Sequence, residues 1–141
     1  MNRHWDASNE YTKYDIREYR HWLVTLSTKQ HTLGSCIIFC LRSGVWKYSE
    51  LTTEEVLELV EVKRDLEGLL TKHFNPDHFN YCQYGNQLKV FHEHVIPRYK
   101  KPRREFSRNW NDPTFGTIPK WVYYETKESL LTEIKERLLS P

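Results

Sequence analysis

No apolar run in this sequence approaches the roughly 20 residues of a membrane-spanning helix. Nothing at its polar N-terminus, where acidic residues intervene early, has the pattern of a secretory leader. The expectation is a soluble cytoplasmic protein with no membrane partner. Charge of one sign is lacking too, since Lys and Arg total 21 against 19 Asp and Glu, a net of +2. No global field therefore argues for nucleic acid as a partner. The three cysteines, Cys36, Cys40 and Cys82, are an odd count without a regular framework, which reads as reduced thiols rather than disulfides. There is no internal repeat and no low-complexity segment, and 141 residues suit one compact domain.

What is present is a succession of strand-like and helix-like patterns after residue 18. Residues 1–18 mix polar and aromatic side chains without a period and read as a loosely held arm whose Trp5, Tyr11 and Tyr14 can pack back. The single domain spans 19–141. Strands are expected over Tyr19–Leu26, Leu33–Leu41 and His78–Tyr84, with a fourth beginning near Gln87. Between the second and third, Thr52-Thr53-Glu54-Glu55 is a capping box opening a long amphipathic helix to about His73, its stripe interrupted at Lys63. The basic segment Tyr99–Asn111 reads as a loop, solvated or closing over a polyphosphate. Ile118–Tyr124 reads as a short edge strand, and a final helix follows Lys127. The fold class is α+β, a mainly antiparallel sheet with one long helix between its second and third strands and a C-terminal helix.

The chemistry concentrates in Asn80–Tyr99. As a strand, this stretch sets Val90, His92 and His94 on one face and Phe91, Glu93 and Val95 on the other, because side chains alternate. Two imidazoles thus stand side by side. The turn Gly85-Asn86-Gln87 can aim backbone N–H groups at an anion beside them, and Arg98 supplies a fixed cation. That combination suits phosphate esters. Glu93, on the face the long helix would cover, requires a cationic partner or a wet edge.

The run Gly85-Asn86-Gln87-Leu88-Lys89-Val90-Phe91-His92-Glu93-His94-Val95-Ile96-Pro97-Arg98-Tyr99 resembles the signature of the histidine triad (HIT) superfamily, in which three histidines alternate with apolar residues. Thr32-Leu33-Gly34-Ser35, Leu51–Glu55, Asp112–Gly116 and Pro119-Lys120-Trp121 are similar to a bacterial HIT-like branch, so that the likeness runs from about Tyr19 to Leu139. Two positions depart from it: Val90 stands where the family has its first histidine, and Glu93 where it has an apolar residue.

The resemblance implies a HIT-like fold and a nucleotide hydrolase or transferase acting on a dinucleoside polyphosphate or nucleoside phosphoramidate. His92 aligns with the nucleophile that takes up a nucleotidyl group, and His94 with a residue that contacts phosphate or protonates the leaving group. Gln87 and Asn86 align with positions of the phosphate-binding turn; Arg98, the fixed cation, joins them as a phosphate- or nucleotide-binding candidate, and Gln83 is a weaker one that reads equally as a sheet-edge amide. The alternative is a catalytically impaired nucleotide-binding or sensing module that lost turnover with the first histidine. The resemblance implies a homodimer, no redox cofactor and no required metal. A plain metal site would need a third ligand from His21, His31 or Cys82.

Overall fold

A computed structural model describes residues 11–141, and Trp5 lies outside the described residues. Five strands form one sheet: β1 (Asp15–Glu18), β2 (Trp22–Leu26), β3 (Cys36–Cys40), β4 (His78–Cys82) and β5 (His92–Arg98), in the order β1-β2-β3-β5-β4 with every pair antiparallel. The helix α1 (Thr53–Phe74) connects β3 to β4, and α2 (Glu128–Leu139) ends the chain. This is the expected α+β arrangement with one strand added in front. Asp15–Glu18, read from the sequence as part of the arm, pairs along β2, and Tyr14 just before it is buried. Among the described residues no helix is long and apolar enough to cross a membrane.

Alternation sorts the sheet into two faces. Trp22, Val24, Leu26, Cys36, Ile38, Cys40, Phe91 and Val95 point to the main core, where α1 presents Leu59, Val62, Leu66, Leu70 and Phe74, and α2 presents Leu130, Leu131, Ile134 and Leu138. Helical spacing places those residues on one stripe of each helix. At the start of α1 the Thr52 hydroxyl accepts from the Glu55 N–H while the Glu55 carboxylate accepts from the Thr52 N–H. Arg42 grips the same carboxylate at 2.9 and 3.1 Å, and its guanidinium pulls the Glu55 carboxyl down to about 2. Gly34, at φ +88°, turns the chain into β3 where an added Cβ would meet Leu70 and Phe74 at 3.0 and 3.2 Å. Only glycine fits there.

Three segments depart from the sequence reading. The strand expected from Gln87 begins at His92, because the chain from Gln83 follows a bent path through Gly85 at φ +65°, where the Trp46 indole N–H donates to its carbonyl. The basic loop contains a two-stranded hairpin, β6 (Arg103–Glu105) with β7 (Arg108–Trp110), closed by Phe106 and Ser107 at φ 56° and 58°. Paired positive φ values give the tight turn whose twist matches a hairpin. Ile118–Tyr124 forms no strand: Pro119 lacks a donor, and the Val122 N–H is taken by the His31 ring rather than a neighbouring strand.

Candidate active site

The sheet face away from α1 carries a small apolar cluster of Leu23, Ile37, Phe39 and Val90, edged by Leu41 and Leu88. His92 projects from β5 beside it and stacks on Phe39 at 5.4 Å between ring centroids. Val90 is therefore core material, its isopropyl group shielded by its neighbours. The polar contact that His92 does make comes from the backbone of residue 90, not from its side chain. Nδ1 of His92 lies 2.7 Å from the Val90 carbonyl oxygen. A carbonyl only accepts, so Nδ1 carries the proton and Nε2 keeps its lone pair. Burial lowers the His92 pKa, against a smaller upward pull from the Val90 carbonyl.

The adjacent His94 ring lies 5.2 Å from His92, edge to face, as β-strand alternation requires. It closes a chain of rings. His31 approaches His94 at 6.4 Å, Trp121 approaches it at 5.0 Å, and Trp121 stacks on His31 at 3.8 Å. Tyr84 meets the outer side of Trp121 at 6.0 Å. Burial pushes His94 down to about 4, helped by the charges of His92, His31 and Lys29, and His31 down to about 4 through burial and Lys29. Both rings are neutral at pH 7. The Val122 N–H donates to His31 Nδ1 at 2.9 Å, so the proton of that ring sits on Nε2. Nδ1 of His94 is buried with no hydrogen-bond partner among the described residues. His94 is thus no ready acid at neutral pH, but an anion beside it reverses the electrostatic balance and raises its pKa.

Asn86 and Gln87 are exposed beyond Gly85, and Gln83 is half-buried just before it. Arg98 is 2% exposed, and its five N–H donors are all engaged. Nε and Nη2 hold Asp112 at 2.7 and 3.1 Å, Nη1 holds Asn80 and the Thr117 carbonyl, and Nη2 also reaches the Thr114 carbonyl. The cation expected at a phosphate instead ties β5 to the 112–117 segment. Glu93, on the opposite face, pairs with Lys63 of α1 at 2.6 Å, which explains both the carboxylate in the apolar pattern and the lysine in the helical stripe. Cys82 stands opposite His94 in the β4–β5 register. Among the described residues no group of three or more His, Cys, Asp or Glu side chains could hold a metal ion.

In the sequence His31 stands out only as a possible third metal ligand, and Trp121 only through the Pro119-Lys120-Trp121 likeness. His31 lies in a polar connection and Trp121 some 90 positions later, so no local spacing signals that tertiary folding stacks them.

No family model matches the chain, and no curated protein matches it significantly. Solved structures do share its fold. A histidine triad protein from Marinobacter aquaeolei is 21% identical, covering 96% of this chain and 93% of its own, with a TM-score of 0.66. A histidine triad protein from Sinorhizobium meliloti is 18% identical over 96% of both chains, with a TM-score of 0.67. The diadenosine triphosphate hydrolase of Plasmodium falciparum is 14% identical over 89% of this chain and 71% of its own, with a TM-score of 0.61. The protein has the fold of histidine triad proteins.

Proposed function

We propose that the protein is a nucleotide hydrolase or transferase that cleaves a dinucleoside polyphosphate or a nucleoside phosphoramidate through a nucleotidyl-His92 intermediate. The observation that carries this reading is the 2.7 Å contact between His92 Nδ1 and the Val90 carbonyl. It leaves Nε2 as a neutral nucleophile, and it depends on backbone rather than on the side chain at position 90. In the reaction, Nε2 attacks the α-phosphorus, the bond from phosphorus to the leaving group breaks, and a phosphoramidate forms. His94, charged by the arriving phosphate, hands a proton to the leaving group. Water or another hydroxyl acceptor then attacks phosphorus and gives its proton to the now neutral His94, and the P–N bond breaks to free His92.

Asn86 and Gln87 are assigned to the phosphate and Gln83 to its margin, reached when the exposed turn after Gly85 folds onto the ligand. Arg98 is assigned the upkeep of β5 rather than phosphate contact. A homodimer belongs to the same proposal, with β4 at the outer edge of the sheet as the pairing strand.

The test is intact-protein mass spectrometry after brief mixing with diadenosine tetraphosphate, or with an adenosine phosphoramidate, and an alkaline quench. A nucleotidyl adduct in the native chain that vanishes in His92→Ala supports the reading. Saturable nucleotide binding with neither adduct nor turnover replaces it with the binding or sensing module, for which the side chain of Val90, unable to donate a hydrogen bond, already speaks.

A further inference from the structure

The two rings that border His94 also wall a second space. His31 and Trp121 line a cleft of about 810 Å³ between the β2–β3 connection, the β6–β7 hairpin and the 120–127 segment that leads into α2. That volume lies in the range of small-molecule sites. The cleft adjoins the histidine pair through Trp121, which lines it and lies 5.0 Å from the His94 ring.

Two features of the lining specify what it fits. The first is aromatic surface without a protein partner to cover it: Tyr123 is 81% exposed and Tyr124 is 71% exposed, although the segment bearing them is pinned on both sides. The Val122 N–H is held by His31, and the Thr126 N–H by the Thr28 carbonyl at 2.8 Å. Exposed rings on an anchored segment are a surface for stacking. The second is charge. Arg108, Lys120 and Lys127 line the cleft against Glu125 and Asp112, and the Asp112 carboxylate is already consumed by Arg98. A net positive, ring-lined cleft fits an aromatic group on an anionic tether.

We propose that this cleft seats the leaving half of the substrate, a nucleobase joined through phosphates to the nucleotidyl group on the histidine face. This rests on the nucleotidyl-transfer reading and selects within it, favouring substrates with an aromatic ring at both ends of the polyphosphate. Tyr123 and Tyr124 offer the stacking surface, and Lys120 and Lys127 the attraction for phosphate.

The experiment measures binding by isothermal titration calorimetry to full-length His92→Ala protein, which cannot turn ligand over. Diadenosine tetraphosphate is compared with adenosine 5′-tetraphosphate, which has as many phosphates but one ring. The dinucleotide is expected to bind about tenfold tighter, within what stacking one base on aromatic side chains supplies. Adding Tyr123→Ser and Tyr124→Ser should bring the ratio to about one, whereas adding Lys120→Glu and Lys127→Glu should weaken both ligands about tenfold. These side chains are exposed, and a matching thermal melt checks that each variant is folded. Equal affinities in the parent, no binding of either ligand, or a ratio that survives the tyrosine replacements overturns the proposal. The two readings fail separately: a roughly tenfold ratio in the parent that the tyrosine replacements abolish, without any adduct on native His92, keeps the cleft and removes the chemistry, and an adduct with a parent ratio of about one does the reverse.

Discussion

The ammonium of Lys63 on α1 lies 2.6 Å from Oε2 of Glu93 on β5, beneath a carboxylate that is 5% exposed as a residue. The same ammonium sits 4.4 Å over the Tyr81 ring, and the Tyr81 hydroxyl donates to Glu67 one helical turn further along. One charged column thus crosses the interface between helix and sheet, on the side opposite the imidazoles. Glu93 belongs to the packing of the domain, not to acid or base work at His92.

Breaking this pair from one end strands a buried charge. Lys63→Met should destabilise the protein by about 3 kcal/mol, the lower end for a buried pair because lysine keeps some access to water. Lys63→Met with Glu93→Val should recover that loss or exceed the native stability, since two apolar side chains then meet at a dry interface. Urea denaturation of the three variants gives the cycle. A double variant as unstable as the single one would show that the pair is not the unit acting here.

Arg98 leads to a second prediction. Its guanidinium satisfies Asp112 in a two-toothed geometry and two carbonyls besides, a set of directions that an ammonium cannot reproduce. Arg98→Lys should therefore lower stability by about 2 to 4 kcal/mol. Nucleotide affinity measured on the folded fraction should change less than twofold, because no donor of Arg98 is free for phosphate. A selective loss of affinity at native-like stability would return Arg98 to the binding site.

The contrast between Glu93 and Arg98 shows what could be read from the chain. Alternation alone assigned the faces of Val90 through Val95, and the capping box located the first turn of α1, since both depend on neighbours a few residues apart. Burial of the carboxylate even called for a cation, and Lys63, the flaw in the helical stripe, supplies it. Arg98 followed a motif and was read as a phosphate ligand, but its partners come from positions 80 and 112–117, which no local pattern announces. His31 and Trp121 escaped for the same reason. The hairpin escaped because its turn uses phenylalanine and serine where glycine or asparagine would signal positive φ.

That turn offers a stability gain. Ser107, at φ 58°, is exposed and its hydroxyl has no hydrogen bond among the described residues, so Ser107→Gly should stabilise the protein by about 0.5 to 1 kcal/mol. Phe106, at φ 56°, is different. Its ring meets Phe74 edge to face at 6.1 Å and lies 4.5 Å under the Arg137 guanidinium, so Phe106→Gly should destabilise despite relieving the same backbone strain. Thermal melts of the two variants should move in opposite directions.

The neutral imidazoles predict how stability responds to acid. In the unfolded chain each histidine takes up a proton near 6.5, whereas folded His31 and His94 do so only at about 4, and His92 is lowered too. Between those values the unfolded state binds more protons than the folded state, so stability falls as pH falls, by up to about 1.4 kcal/mol per pH unit for each ring. The contribution is complete above about pH 6.5 and gone below about pH 4. Glu55, held near 2, loses its contribution only as pH drops from about 4.5 towards 2, which leaves the window from 6.5 to 4.5 to the imidazoles. Urea midpoints should therefore decline across that window, and His31→Gln, whose amide oxygen can still accept from the Val122 N–H, should flatten the slope by one ring. A flat native profile, or an unchanged slope in His31→Gln, would mean that the rings are hydrated enough to titrate as free histidines. Phosphate should shift the same profile, since an anion seated on the pair favours protonated His94 and moves the acid limit of its contribution upward from 4.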